Sequence, residues 1–272
     1  MSIFLLKGWN PVTIITGSIF RSGRGIVVIE NAKKTPLKSL LFQSVRQSFT
    51  EEGFRLNAKN GNFVRRHDGI TEIFYVTCTN AKPGYWVRPG VGLRFETVEE
   101  IFHRTSGWDP KFQKDTNTVG TQVGVLIDGK GTSCRFLLES ESEIASVTEK
   151  VVDVFRKFAL PYFAQFGSLA AIDTELNDHP AERSVNTSLA WFRCSRGLIV
   201  AKLTGRPDYE QLATFYLNVM TRDNKGFYLK RFEALVESLK SVERGAAGGP
   251  LRDNSRKRDC NGKSRSSACG EG

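Results

Sequence analysis

The fold is decided by residues 35–78, TPLKSLLFQSVRQSFTEEGFRLNAKNGNFVRRHDGITEIFYVTC. Large apolar side chains recur at helical spacing in the first half and form one stripe, namely Leu37, Leu40, Leu41, Val45 and Phe49. Thr35 can cap this helix, and Pro36 suits its first position because the N–H that proline lacks would have no intrahelical partner. Gly53 can end the helix in the left-handed conformation. We therefore expect one amphipathic helix at the start of the stretch.

Two tight turns follow the helix. Asn60-Gly61 and Asp68-Gly69 supply the positive φ values that two-residue hairpin turns require. They predict strands near residues 54–57, 62–66 and 70–78. Each large apolar side chain of the helix gains roughly 1.5–3 kcal/mol by leaving water. Three antiparallel strands offer a face that can receive the stripe.

The strands are expected to continue to about Leu138. A fourth strand starts at Tyr85 and is predicted to bend or bulge at Pro89-Gly90 before it resumes. Thr97 and Glu100 have capping-box spacing, which predicts a short helix over residues 98–103. The cleanest alternation of the chain predicts a strand over residues 119–127. Asp128 then begins a turn into a last strand.

Helical patterns replace the strands from Ser140 onward. Ser140 and Glu143 have capping-box spacing, and Pro161 should kink or end the helix that follows. The apolar periodicity predicts helices at residues 144–158, 168–176, 186–203, 207–220 and 227–242. The predicted fold class is α+β: an antiparallel meander sheet packed by an N-terminal helix, followed by a C-terminal helical subdomain.

The same patterns divide the chain into four segments. Residues 1–34 are a leader or an edge strand, and the sequence leaves open whether they belong to the native protein. Residues 35–139 form the sheet with its helix, and residues 140–244 form the helical subdomain. Residues 245–272 are rich in Gly, Ser, Arg, Lys and Asn, and they are predicted to be a disordered basic tail.

The net charge of +10 is concentrated at the two ends of the chain. Residues 1–34 carry five basic side chains and one acidic, and residues 245–272 carry six and three. A basic tail binds polyanions weakly and without sequence preference. No apolar run is long enough to cross a bilayer, and no signal-peptide core is present, so we expect a soluble cytoplasmic protein without a membrane partner. The five cysteines show no C-x-x-C spacing, which favours reduced thiols over disulfides or a zinc site.

Part of the chain resembles a known family. The helix ending at Gly53-Phe54, the strand with Phe63, Arg65 and Arg66, and residues 72–77 look like the start of an uncharacterised bacterial domain family catalogued as a domain of unknown function. The resemblance covers about residues 35–165. It implies an α+β body with a helical C-terminal part and no activity. Some small bacterial domains of this style sit in toxin–immunity loci, which implies an immunity-like role, although inhibitors of basic nucleases are usually acidic.

The sequence contains no recognisable catalytic or metal signature. His67-Asp68 lies in a turn, where Asp is common because it tolerates the left-handed backbone conformation. His103 with Glu99 lacks the H-E-x-x-H pattern of a zinc helix and is interpreted as a solvated, charge-paired helix surface. Asp109 and Asp115 lack a third ligand and are interpreted as part of a solvated loop. We therefore predict no catalytic residue, no metal and no cofactor.

One cluster is typical of a binding surface. Its members are Tyr85, Trp86, Arg88 and Arg94 on the fourth strand, with Trp108 and Phe112 in the following loop. Aromatic and arginine side chains together suit a protein interface or a stacked base. The alternative is that the rings belong to the core and the arginines extend from the sheet edge. Glycines at positions 90, 92, 120 and 124 would leave bare backbone, which a helix at residues 144–158 would cover.

Three hypotheses of function remain at this stage. The first is a non-catalytic protein-binding module, immunity-like in character, with a protein partner. The second is weak, sequence-independent nucleic-acid binding through the basic termini. The third is an enzyme with an unrecognised site, for which His67 or His103 should line a concave pocket together with carboxylates.

Overall fold

The computed structural model describes residues 36–57, 60–187 and 189–245. Its strands are β1 (Arg55–Asn57), β2 (Asn62–His67), β3 (Ile70–Asn80), β4 (Tyr85–Phe95), β5 (Val119–Gln122) and β6 (Phe136–Leu138). Its α-helices are α1 (Leu37–Glu51), α2 (Glu96–His103), α3 (Pro110–Gln113), α4 (Val123–Asp128), α5 (Ile144–Val154), α6 (Leu160–Phe166), α7 (Leu169–Asn177), α8 (Ala190–Thr204), α9 (Tyr209–Arg222) and α10 (Leu229–Leu239). The predicted segment 1–34 and all but the first residue of the predicted tail lie outside the described residues.

The strands form one antiparallel sheet whose order follows the chain. Strands β1 to β5 are neighbours in sequence order, and β6 pairs with β4. The turn between β2 and β3 has Asp68 at φ 47° and Gly69 at φ 74°, with His67 paired to Ile70. These positive φ values are the ones that the Asp-Gly turn was predicted to supply. The α+β class, with an antiparallel meander and a helical C-terminal part, is confirmed.

Helix α1 lies against one face of the sheet, as its leucine stripe predicted. Leu41, Val45 and Phe49 are fully buried. The Phe49 ring packs edge-on against Phe63 of β2 and Phe74 of β3, with centroid distances of 4.5 and 5.2 Å. The helix begins at Leu37, so Pro36 occupies the N-cap position instead of the first helical position, and no side chain caps the helix. Thr35, the predicted cap, lies outside the described residues.

Strand β4 is continuous, and the predicted bulge at Pro89-Gly90 is wrong. Val76 pairs with Pro89 and Tyr75 with Gly90 without a break in register. On its other edge, β4 pairs with β5 up to Gly90 and with β6 from Val87. Pro89 lies in the interval between these two partners, where a residue without an N–H is tolerated inside a sheet.

The predicted strand at residues 119–127 is also wrong, because it ends after four residues. Strand β5 stops at Gln122, and α4 follows at once. The reason is that β5 and β6 share one edge of β4: Gln122 pairs with Gly90, and Phe136 pairs with Val87. A longer β5 would occupy the edge that β6 uses. The regular alternation of valines and glycines could not reveal this competition.

Two smaller differences concern the region after β4. Helix α2 begins at Glu96 with Phe95 as its N-cap, and no side chain caps it. The capping box predicted at Thr97 and Glu100 therefore does not start this helix. The segment expected to be a loop at residues 107–117 contains the short helix α3, which Asp109 caps by accepting a hydrogen bond from the Lys111 N–H.

The helical part begins where the sequence predicted. Ser140 and Glu143 form a reciprocal capping box. Instead of ending or kinking, the helix passes from α5 through a π-helical turn, Phe155–Ala159, into α6, with Pro161 in the first turn of α6. A proline clashes with the carbonyl four residues earlier, and the wider π turn lies at that position. Phe155 of this turn packs on Phe49 and Phe74, so sheet and helices share one hydrophobic core.

Helix α8 is the centre of the helical part. It is joined to α9 at Gly205, which adopts the left-handed conformation, as the predicted hairpin required. Eleven of its residues are buried, including Cys194, Leu198 and Ile199. Among the described residues, no helix combines the length and apolarity that crossing a bilayer demands.

Candidate functional site

The structure separates the six residues predicted to form one binding surface. Trp86 and Arg94 are eight residues apart on β4, which at about 3.3 Å per residue places their Cα atoms about 26 Å apart. Trp108 and Phe112 lie beside the Arg94 end, because Arg94 binds the segment that carries them. The predicted residues therefore belong to two separate places on the sheet.

Arg94 is buried and has a structural role. It is 7% exposed, and its Nη1 donates to the carbonyl of Gln113 at 2.9 Å and to the carbonyl of Thr116 at 3.0 Å. Its Nε donates to Glu96 at 2.9 Å. Arg94 thus fastens the segment after α2 to the sheet, and this positions Trp108 and Phe112.

The other end of β4 is half-buried. Tyr85, Trp86 and Arg88 are all intermediate in exposure. The guanidinium carbon of Arg135 lies 4.3 Å from the centre of the Trp86 ring. This cation–π contact already covers one face of Trp86. The Arg88 Nε is buried without a hydrogen-bond partner among the described residues.

Glu99 of α2 is fully buried, so the expectation of a solvated helix surface around His103 is wrong. Arg196 of α8 donates two hydrogen bonds to the Glu99 carboxylate, at 2.8 and 3.0 Å. Thr116 and Thr118 donate two more, at 2.7 and 3.1 Å. The partner arginine lies 97 residues further along the chain. No local pattern around Glu99 could have indicated it.

His103 lies at the edge of this buried cluster. Its Nε2 is 2.9 Å from the Thr116 hydroxyl, and its Nδ1 is 3.0 Å from the Ser106 hydroxyl. Burial lowers the pKa of His103, and the charges of Arg94 and Arg196 act the same way, against the opposing carboxylate of Glu99. Burial alone would raise the pKa of Glu99, but the charge and hydrogen bonds of Arg196 outweigh it and hold that pKa below its ordinary value.

His67 and His103 each lie beside a carboxylate, Glu72 and Glu99 respectively. His67 is half-exposed, and its Nε2 lies 3.1 Å from Glu72, which also pairs with Arg65. Neither His67 nor His103 lines the open cavity beside α1 or the cleft on the opposite face of the sheet. Asp115 accepts a hydrogen bond from Asn60, and Asp109 pairs with Lys111. In the part of the chain that the structure describes, no three His, Cys, Asp or Glu side chains are grouped to hold a metal.

Four aromatic side chains near the buried cluster, two exposed and two partly buried, form two pairs that are connected through the buried rings of Phe102 and Trp191. We call Trp108, Phe192, Tyr228 and Phe227 the aromatic ridge. The Trp108 and Phe192 rings are 6.0 Å apart, and Phe227 and Tyr228 are 4.9 Å apart. Tyr228 also stacks on the buried Trp191, with ring centroids 5.2 Å apart and an interplanar angle of 8°. Trp108 is 38% exposed and Phe227 is 66% exposed.

Arg196, a buried residue of α8, packs against the Phe192 ring of the aromatic ridge. The Arg196 guanidinium lies 4.8 Å from the Phe192 ring and 4.7 Å from the Phe102 ring, while it binds Glu99. On the other side, the Arg231 guanidinium lies about 3.1 Å from the position that a Cβ at Gly107 would occupy. These contacts bring the segment after α2, the start of α8 and the start of α10 together.

A strained turn presents the most exposed ring. Asn224 and Lys225 both have positive φ, 45° and 54°, immediately before Gly226 and Phe227. A lysine in the left-handed region is uncommon, and strain of this kind costs about 1–3 kcal/mol per residue and clusters at binding sites. The turn therefore marks Phe227 as a functional candidate.

Sequence reasoning found Trp108 and Phe112, which is 52% exposed, but missed Phe192, Phe227 and Tyr228. Phe192 and Phe227 lie within patterns that predict ordinary amphipathic helices. The one local sign that Phe227 differs is the polar segment Asn224-Lys225-Gly226, which separates two helices directly before it. It was not sufficient to predict that Phe227 stays in solvent.

Three of the four glycines form the predicted backbone patch, whereas Gly124 lies in α4 against Gly131, and a different group covers the patch. Gly92 pairs with Gly120, and the Asn117 amide lies over both. Asn117 donates a hydrogen bond to Tyr75 Oη at 2.5 Å. The expected cover, α5, packs on α1 instead.

Comparison of the chain with known proteins assigns it no function, so a functional assignment rests on the structure. The resemblance to the uncharacterised bacterial family stays a prediction. No protein-family model matches the chain, and neither the curated proteins nor the solved structures contain a significant match to it.

Proposed function

We propose that this chain is a non-catalytic protein-binding module that contacts its partner through the aromatic ridge. The observation that carries the proposal is Phe227, which is 66% exposed at the end of a turn with two left-handed non-glycine residues. A phenylalanine in solvent gains roughly 1.5–3 kcal/mol when a partner buries it. The strain of the turn is consistent with a ring held out for that purpose.

The ridge has the composition of an interface centre. Aromatic and arginine side chains dominate the binding energy of protein interfaces. Trp108 is backed by Phe192, and Tyr228 is backed by Trp191. Supported rings lose little conformational freedom on binding, so most of their burial energy would remain as affinity.

The side chains around the ridge favour a protein partner with an acidic rim. Five exposed basic residues lie within four positions of the rings in sequence, against two acidic residues, Asp109 and Asp223; the basic residues are Arg104, Lys111, Lys225, Lys230 and Arg231. Leu189, which is 50% exposed, adds aliphatic surface at the start of α8, three residues before Phe192. Aliphatic side chains pack against protein but do not stack on bases. An immunity-like role would fit an acidic target better than a basic nuclease.

Affinity capture with matched variants tests this proposal. The tagged wild type, Phe227→Ala, Trp108→Ala and Leu217→Ala are used to capture protein from an extract of the native host. Leu217 is the control because it is 37% exposed on α9, outside the ridge. We expect one protein that wild type and Leu217→Ala retain and that both ridge variants lose. Equal recovery of every protein by all four forms would contradict the proposal.

Nucleic-acid binding is the second candidate, since cations next to exposed rings also suit single strands. The basic termini that first suggested it, residues 1–34 and the tail, lie outside the described residues apart from Gly245. The test is the affinity for a fluorescent single-stranded oligonucleotide across a salt series, with and without residues 246–272. Affinity that falls with salt and with tail removal would support this candidate. A flat salt response would exclude it.

A further inference from the structure

A small polar cleft lies on the sheet face opposite α1. Alternation along β2 and β3 places Phe63 and Phe74 toward α1, and their neighbours Val64 and Ile73 on the other face. The cleft has a volume of about 50 Å³. One buried water needs about 10–15 Å³ of such space, so the cleft fits a molecule of a few non-hydrogen atoms. This molecule would rest on an apolar floor of Val64 and Ile73.

One end of the cleft has a buried acceptor oxygen without a donor. Asn62 is 6% exposed and lies opposite Tyr75 on the next strand. Its Oδ1 has no hydrogen-bond partner among the described residues, and neither has Oδ1 of Asn117, whose amide nitrogen donates to Tyr75. A buried acceptor without a donor costs about 1–3 kcal/mol. Of the two, Asn62 lines the cleft, so its oxygen is the one that a donor entering the cleft can reach.

A carboxylate lies at the same end. Asp115 lines the cleft and accepts a hydrogen bond from Asn60 at 2.7 Å. Its charge acts on the Tyr75 phenol, whose pKa is raised to about 12 chiefly by burial, so this phenol stays neutral. Amide oxygens, a neutral phenol and a carboxylate together suit a positively charged donor such as an ammonium group.

The opposite end is cationic. Arg66 and Arg94 flank Thr71 in one cross-strand row, four residues from Asn62 along β2. The Arg94 Nε and Nη1 bind Glu96 and the segment after α3, whereas its Nη2 makes no hydrogen bond within the described residues. Lys114 also lines the cleft, so the three cationic side chains of the cleft exceed the two carboxylates, Glu96 and Asp115, by one charge. The remaining positive charge suits a carboxylate.

We infer that the cleft binds a small zwitterion of the amino-acid class, with its ammonium group toward Asn62 and Asp115 and its carboxylate toward Arg66 and Arg94. A simple anion would leave the Asn62 oxygen without a donor and would face Asp115. A simple cation would face Arg66. A short molecule with both charges satisfies both ends, and its methylene groups cover Val64 and Ile73.

Calorimetric titration tests the inference with probes of known charge separation. Glycine, β-alanine and 4-aminobutyrate are the zwitterions, and acetate and methylammonium are the single-charge controls. We expect at least one zwitterion to bind saturably and about tenfold or more tighter than either control. Asn62→Ala and Arg66→Ala should each weaken this binding by about tenfold or more, since each removes a hydrogen-bonding group of the site. Asn80→Ala and Lys82→Ala, exposed positions at the far end of the sheet, should leave it unchanged.

The unfolding temperature of Asn62→Ala separates a binding role from a structural one. If the amide serves a ligand, its removal eliminates an unpartnered polar group, and the variant without ligand should melt at the same temperature as wild type or higher. A lower unfolding temperature for Asn62→Ala would overturn the inference. Absence of saturable binding by all three zwitterions, or equally tight binding of acetate or methylammonium, would overturn it as well.

Discussion

At the scale of single residues, Glu99 connects most of the features described above. It is buried beneath the segment that carries Trp108, and it binds Arg196, which in turn packs on Phe192 of the aromatic ridge. Replacing a buried ion pair by apolar side chains can be neutral, but removing one partner leaves the other charge buried and unpaired. The carboxylate therefore matters both for stability and for the position of the ridge.

Glu99→Ala should lower the free energy of unfolding by about 3–5 kcal/mol, because it leaves Arg196 buried without a counter-charge. Urea denaturation measures this change. The control is Asp153→Ala, which breaks the exposed pair with Lys157 at 2.9 Å and should cost about 1 kcal/mol or less. Similar small losses for both variants would show that the buried pair is not important for stability.

His103 should make stability depend on pH near neutrality. Its pKa is lowered in the folded chain, so between that value and about 6.5 the unfolded chain binds more protons. The stabilisation by neutral His103 is therefore complete above pH of about 6.5 and is lost as pH falls from there toward the folded pKa, by at most about 1.4 kcal/mol per pH unit. Glu99 adds a loss only at lower pH, because its pKa is lowered from an ordinary value of about 4.3.

Urea denaturation of wild type and His103→Gln between pH 7.5 and 5.5 checks this dependence. Titrating groups common to both proteins cancel in the comparison. We expect the stability difference between wild type and variant to shrink as pH falls. A constant difference would contradict a lowered pKa for His103.

At the scale of elements, the local signals were sufficient wherever a few adjacent residues determine the backbone. The α1 stripe, Asp68-Gly69 and the Ser140–Glu143 capping box are such cases. The strand predicted at residues 119–127 failed because β6 competes for the same edge of β4. That competition involves residues that are distant in sequence, so periodicity alone could not predict α4.

Gly92 should be more sensitive to an added side chain than Gly90. A Cβ there would lie 2.5 Å from Nδ2 of Asn117, so Gly92→Ala should displace the amide and cost about 1–3 kcal/mol. At Gly90 the closest atom would be the Thr121 carbonyl at 3.2 Å, and a smaller loss is expected. Thermal unfolding of the two variants gives the comparison. A larger loss at Gly90 than at Gly92 would contradict the role assigned to Asn117.

The left-handed turn before α10 should be improved by glycine. Lys225→Gly removes the steric cost of φ 54°, and the gain exceeds the added flexibility of the unfolded chain, so stability should rise by up to about 1 kcal/mol. Lys230→Gly, at an exposed position within α10, should instead lower it by about 1 kcal/mol. Thermal unfolding measures both. A loss of stability in Lys225→Gly would mean that the turn is not strained.

At the scale of the whole molecule, the ridge is made by three segments that no local pattern connects. Trp108 follows α2, Phe192 lies in α8, and Phe227 precedes α10. The sequence indicated an aromatic and arginine surface but joined Trp108 to Trp86, which lies at the other end of β4, and it did not indicate that Arg94 is buried. The tertiary contacts of Arg196 and Arg231 decide which rings are neighbours.

The ridge as a binding surface is tested most directly by photo-crosslinking in cells of the native host. A benzoyl-phenylalanine replaces Phe227 in one form of the chain and Leu217 in another. We predict that ultraviolet light links the form with the probe at position 227 to one protein, and that the form with the probe at 217 shows no such product. Crosslinks of equal yield at both positions, or none at position 227, would contradict the account.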